Sequence, residues 1–172
     1  MNHVTRLSIL ILALSAAGGC GDTTPRALVE GQDSCDFCRM SISDLRFGAQ
    51  LITSTGKVHT FDSIECLAGF AASLPAITKV SGIYVTDFRE AGSFVAAEAA
   101  IYLVDGRVES PMGRRVVAFA SSVRREELVA TYGGEVKTWA DVTALLADDR
   151  LALASTHQRG HGPATPEGAR AH

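Results

Sequence analysis

Apolar positions fall into four kinds of stretch along the chain. Leu7-Ser-Ile-Leu-Ile-Leu-Ala-Leu-Ser15 is a mainly apolar run, too short for a mature spanning helix, which needs about 20 residues. Residues 20–33 are polar and hold Pro25. Residues 34–148 carry short alternating and helical patterns, and from residue 149 the chain soon loses its apolar residues. Within the patterned part, Arg46–Thr53 and Lys57–Phe61 flank Ser54-Thr-Gly56 and predict a hairpin. Asp62, three residues before Glu65, predicts a helix cap. Ile64, Leu67, Ala68 and Ala71 follow at helical spacing until Pro75. Ile77–Phe88 then reads as a strand interrupted at Ser81-Gly82.

The same order recurs. Ala99–Val104 and Arg115–Ala120 predict two strands joined by a loop with Asp105-Gly106 and Pro111-Met112-Gly113. Ser121 or Ser122 would cap a helix over Arg124–Tyr132, which Gly133-Gly134 ends. Lys137-Thr-Trp139 would be a short strand and Ala140–Leu146 a closing helical turn. The expected fold class is α+β, with two tandem ββαβ units over 34–90 and 91–148. A single α+β sheet is nearly as economical.

The ends add a location. An apolar run followed by Ala16-Ala-Gly-Gly19 predicts a signal peptide over 1–19, and Cys20 stands where a bacterial lipobox places the lipidated cysteine. The favoured leucine three residues earlier is Ala17 here. Residues 20–33 would tether the fold to lipid, on the periplasmic side of an outer or cell membrane. Residues 149–172 would be mostly disordered, with His157, His161 and His172 in solvent.

Composition narrows the function. Hydrophobic residues make up 47% and charged residues 20%, a globular balance, and net charge is −3. No basic cluster suggests nucleic acid. Four cysteines, one assigned to lipid, leave Cys35, Cys38 and Cys66, an odd number of thiols for an oxidising compartment.

Asp33-Ser-Cys35-Asp36-Phe-Cys38-Arg-Met40 carries the chemistry. Two thiols three apart on a turn, with a thioether two residues on, form a soft donor set that selects Cu(I) over hard cations. Zn(II) would have to recruit Cys66 and His59 as well. Thiol–disulfide exchange is the other rival, although no β-strand leads into the pair as it would in a thioredoxin-like βαβ. A structural Cys35–Cys38 disulfide is the plainest alternative. Asp33 and Asp36 could tune the thiols or be solvated loop charges.

These residues also carry a family resemblance. Asp33-x-Cys-x-x-Cys-x-Met40-x-Ile42, Arg46-Phe-x-Ala-Gln50, Gly56-Lys57 and Phe61-Asp-x-Ile-x-Cys66-Leu67 resemble the NosL family. So do Ala-x-Tyr-Leu-Val104, Ser110-x-Met112-Gly113 and Ala118-Phe119. The resemblance implies two related ββαβ units and a lipoprotein that is not an enzyme but a Cu(I) chaperone. Its partner would be nitrous oxide reductase or that enzyme's membrane assembly complex. By position it puts Cys35, Cys38 and Met40 on the metal motif and adds Met112 as a second thioether. Cys66 matches a family cysteine, but its place early on a helix predicts a packed small hydrophobe. His59 is expected to face solvent and be inert.

Overall fold

The computed structural model describes residues 24–148. The signal peptide, Cys20 and the histidines of the C-terminal segment lie outside the described residues.

Two antiparallel sheets are built to one plan. In the first, β1 (Ala49–Thr53) pairs with β2 (Val58–Phe61), α1 (Ile64–Ser73) follows, and β3 (Val80–Thr86) returns to the other side of β1. A further short strand, β4 (Phe94–Ala96), extends the order to β2-β1-β3-β4. In the second sheet, β5 (Ile101–Val104) lies between β6 (Val117–Phe119) and β7 (Glu135–Lys137), with α2 (Arg125–Tyr132) between β6 and β7 in sequence. The first strand of each unit is thus central, flanked by its hairpin partner and by the strand after the helix. A third helix, α3, spans residues 139–148.

The central strands are buried on both faces. In β5 the alternation is clean: Tyr102 and Val104 enter a core shared with α1 and the first sheet, while Ile101 and Leu103 face α2. Leu128, Phe119, Phe88 and Phe47 complete that second cluster. The shared core takes Ile64, Cys66, Leu67 and Ala68 from α1 and Val142 and Leu146 from α3. A fully buried leucine there contributes about 1.5–3 kcal/mol of transfer free energy.

Several boundaries differ from the sequence reading. The strand over Val80–Thr86 runs through Ser81-Gly82 without a break. Thr53 pairs with Val80 and Ile52 with Gly82, so Ser81 is bulged and the strand bends there. β4, a three-residue edge strand, has too little pattern to be read. Trp139 belongs to α3 rather than to a strand. α2 begins after Arg124 and has no side-chain cap from Ser121 or Ser122.

Residues 26–33 are packed on the fold rather than forming part of a free tether. The buried Gln50 side chain donates to Arg26 O at 2.6 Å and accepts from Arg26 N at 3.2 Å, standing in for a strand partner. Leu28 is buried against Gly48, and Arg26 grips Asp33 through both carboxylate oxygens.

Candidate metal centre

The motif loop is held from both of its ends and from beneath. Ser34 and Ser41 form an antiparallel bridge, and Cys35 N donates to Met40 O at 2.8 Å. Arg39 N donates to Cys35 O at 3.0 Å, with Arg39 in the left-handed region at φ 68°. These bonds curl Cys35–Met40 into a tight turn that points both thiols one way. The turn rests on β2, where Asp36 N donates to Thr60 O at 2.8 Å and Thr60 Oγ1 donates to Ser34 O at 2.9 Å. It also rests on α1. A methyl group on Gly69 would lie 2.7 Å from Phe37 Cζ, so the glycine leaves the room into which the ring packs.

A one-residue shift of the helix cap supplies the rest of the site. The cap is Ser63, whose Oγ accepts from Cys66 N at 3.2 Å, and not Asp62. Capping by the serine hydroxyl satisfies an orphan amide of the first turn. It frees the Asp62 carboxylate to turn toward the motif loop, where the Cys38 thiol donates to Asp62 Oδ2 at 3.4 Å. Asp62 Oδ1 is buried with no hydrogen-bond partner. Cys66, on the first turn of α1, faces the same point.

The four donor atoms of Cys35, Cys38, Asp62 and Cys66 all lie within 4.8 Å of one another. Cys35, Asp62 and Cys66 are buried and Cys38 is partly exposed, which gives the cluster one open side. The three thiols are free. Cys66 is therefore more than the packed small hydrophobe expected of it, because its sulfur joins the cluster while its position stays in the core.

Electrostatics separates the thiols. The Cys66 thiol donates to Cys35, and the backbone amides of Cys38, Asp62 and Phe37 face the same sulfur. Together they hold Cys35 down at about 6 against the opposing effect of burial. Cys66, which gives that bond, is pushed far up by it, by burial and by Asp62. Burial also raises Cys38. One thiolate thus stands ready at neutral pH, and two protons remain to be displaced by a cation. Ultraviolet titration of the metal-free chain is expected to show a single thiolate step near pH 6 that Cys35→Ser removes. Metal affinity should fall as pH drops through that step, since protons then compete for the first ligand.

Of the methionines, Met40 is half exposed at the end of the motif turn. Met112 is also half exposed, at the tip of the turn from Ser110 to Gly113 in the second unit. His59 is buried, contrary to expectation: its Nδ1 lies 2.6 Å from Asp36 Oδ2 and its ring packs on Phe70 at 4.6 Å. It braces the motif loop and is not among the clustered donors. Asp36 is thereby a structural partner, and Asp33 is tied to Arg26 and Val29 N. The sequence reading missed Asp62 because its place before the helix suited a cap. An acidic residue four positions ahead of an unexplained cysteine was the available signal.

The NosL family profile matches residues 26–147. Among solved structures, the copper chaperone NosL from Shewanella denitrificans shares the fold. It is 24% identical, with a TM-score of 0.58 over 68% of this chain and 93% of that one. The solution structure of the apo-NosL protein from Achromobacter cycloclastes is 25% identical, with a TM-score of 0.40 over 54% of this chain and 82% of that one. A search among curated protein sequences gives no significant match.

Proposed function

The chain belongs to the NosL family, and from that premise we propose that it carries Cu(I) as cargo, held by Cys35, Cys38 and Met40 with Cys66 behind them. The observation that carries this reading is the convergence of three thiols, two on the motif turn and one at the start of α1, within 4.8 Å of one another and of the Asp62 carboxylate that follows β2, with one open side. Two or three soft sulfur donors suit Cu(I). An ion bound at the open side can accept an acceptor's ligand before it loses one of its own. Transfer then proceeds by ligand exchange, without a catalysed reaction. The Shewanella relative is described as a copper chaperone, which supports the same cargo.

Three thiolates and a carboxylate are also a tetrahedral zinc donor set, so the presence of Asp62 favours Zn(II) as a second reading. The two separate on Met40, a thioether that has no role in a zinc site. Anaerobic competition titration of the full mature chain should give one Cu(I) per chain. Met40→Leu is expected to weaken Cu(I) at least about tenfold and leave Zn(II) unchanged, since losing a ligand should cost no less than losing a contact that supports one. Equal Cu(I) binding by both forms, with Zn(II) bound more tightly, would decide for zinc.

The delivery route is part of the proposal. Cys20 carries the lipid that confines the carrier to the periplasmic face of a bacterial membrane, and the acceptor is nitrous oxide reductase or its assembly complex. The lipobox order and the family membership support this. Cys20→Ala should move the protein from the membrane to the soluble fraction. The copper-loaded chain should restore activity to copper-free reductase, and absence of transfer would remove that acceptor.

A further inference from the structure

His59 lies in an apolar setting on the edge strand β2. It pairs across the ladder with the buried Leu51. Its ring packs on Phe70 of α1 at 4.6 Å, and Phe61, two residues on and so on the same face of the strand, packs on Phe70 at 5.1 Å. A leucine or a phenylalanine would fill this place as well. Histidine adds one polar function aimed out of it, the Nδ1 that lies 2.6 Å from Asp36 Oδ2. A carboxylate has only lone pairs to offer, so the ring nitrogen donates.

The motif loop does not depend on that bond to lie on the sheet. The Ser34–Ser41 bridge, the Thr60 hydroxyl on Ser34 O and the Asp36 amide on Thr60 O already fasten it there. The His59 bond acts at one point instead. The next two amides along the chain after Asp36, those of Phe37 and Cys38, face the Cys35 sulfur. Their direction depends on rotation about the Asp36 backbone. With its amide held by Thr60 O and its carboxylate held by His59, Asp36 is pinned at both ends. The other carboxylate oxygen, Oδ1, lies 3.8 Å from Arg39 Nη1, and Arg39 is the left-handed residue that turns the chain into Met40. One buried ring thus reaches both sides of the turn through a single carboxylate.

We propose that His59 is a positioning residue for the cargo: by holding the Asp36 side chain it keeps the turn in the form that aims the Phe37 and Cys38 amides at the Cys35 sulfur, and so sets how tightly the chain retains Cu(I). This deepens the Cu(I) reading above and rests on it. In anaerobic competition titrations of the full chain, His59→Leu keeps the packing on Phe70, drops the polar contact, and should weaken Cu(I) by about tenfold, as losses of supporting contacts do at metal sites. Asp36→Ala, at a partly exposed loop position, should weaken it as much. His59→Asn, whose amide nitrogen stands as many bonds from Cα as Nδ1 does, should restore most of the affinity. In an Asp36→Ala background His59→Leu should cost nothing further, because its effect passes through the missing carboxylate. In the metal-free wild type the Phe37 and Cys38 amides should exchange slowly with solvent. Their resonances should shift in His59→Leu and return in His59→Asn.

Equal losses from His59→Leu in the two backgrounds would reduce the ring to a core packing residue and overturn the proposal. So would fast exchange of both amides in the wild type, a reading that needs no variant to fold. Affinity within about twofold of wild type in both His59→Leu and Asp36→Ala would overturn it as well, given the tenfold expected of a supporting contact. In each case, dependence of Cu(I) binding on Cys35 and Cys38 would leave the carrier function standing. Loss of that dependence would instead remove the function itself.

Discussion

Replacing Cys35 with serine is expected to lower Cu(I) affinity at least about 100-fold, or about 2.7 kcal/mol, while leaving the chain folded. The size follows from where this sulfur sits. It receives the Cys66 thiol and faces three backbone amides, so it is the one donor already ionised near neutral pH. A serine oxygen can accept most of the same hydrogen bonds in nearly the same volume, which is why the fold should survive. It cannot ionise at neutral pH, and it is a hard donor where the cargo is soft. Cys66→Ser should cost less, because that thiol must first lose a proton that burial and Asp62 hold on to. Cys38→Ser should fall between, removing the donor on the open side. Competition titrations of the three variants would test the order. A Cys35→Ser chain within about threefold of wild type would sink the assignment of the primary ligand, given that supporting contacts alone are worth tenfold or more.

What the sequence made legible, and what it hid, divides along physical lines. The central strands β1 and β5 were readable because burial on two faces demands apolar runs between turn residues. The repeat was readable for the same reason, and the matching orders β2-β1-β3 and β6-β5-β7 are its structural form. Cys35 and Cys38 stood out because adjacent thiols have few other uses. Asp62 and Cys66 did not, since their roles depend on which of two neighbouring residues caps α1. Asp62 and Ser63 are both good caps by propensity. The choice of Ser63 is made by tertiary structure, through a motif loop that arrives from 24 residues earlier in the chain. His59 was misjudged for a related reason: β2 is an edge strand of its sheet, but the motif loop covers it. Residues 26–33 looked like a tether because Gln50, a polar residue inside β1, gave no hint that it would bind Arg26 as a strand would.

Oxidation should act on the site as an all-or-none switch. Three thiols share one small volume, and Cys35 is a thiolate at neutral pH, the form that attacks in disulfide formation. Its partner in a disulfide can be Cys38, three residues on in the same turn, or Cys66 across it. Treating the unloaded chain with diamide should therefore form one disulfide. Two thiols together give up two electrons and two protons, which the diazene takes up as its hydrazine. Either pairing removes Cys35 and one further sulfur from the donor set, so Cu(I) binding should drop below detection, and dithiothreitol should restore it. The copper-loaded chain should resist the same dose, because its thiolate lone pairs are engaged by the metal. Mass spectrometry reads the loss of two hydrogens, and competition titration reads the affinity. If the oxidised chain kept its Cu(I) affinity, the cargo would have to sit on the two methionines and the remaining donors. If the loaded chain oxidised as readily as the empty one, the cysteines would not be its ligands.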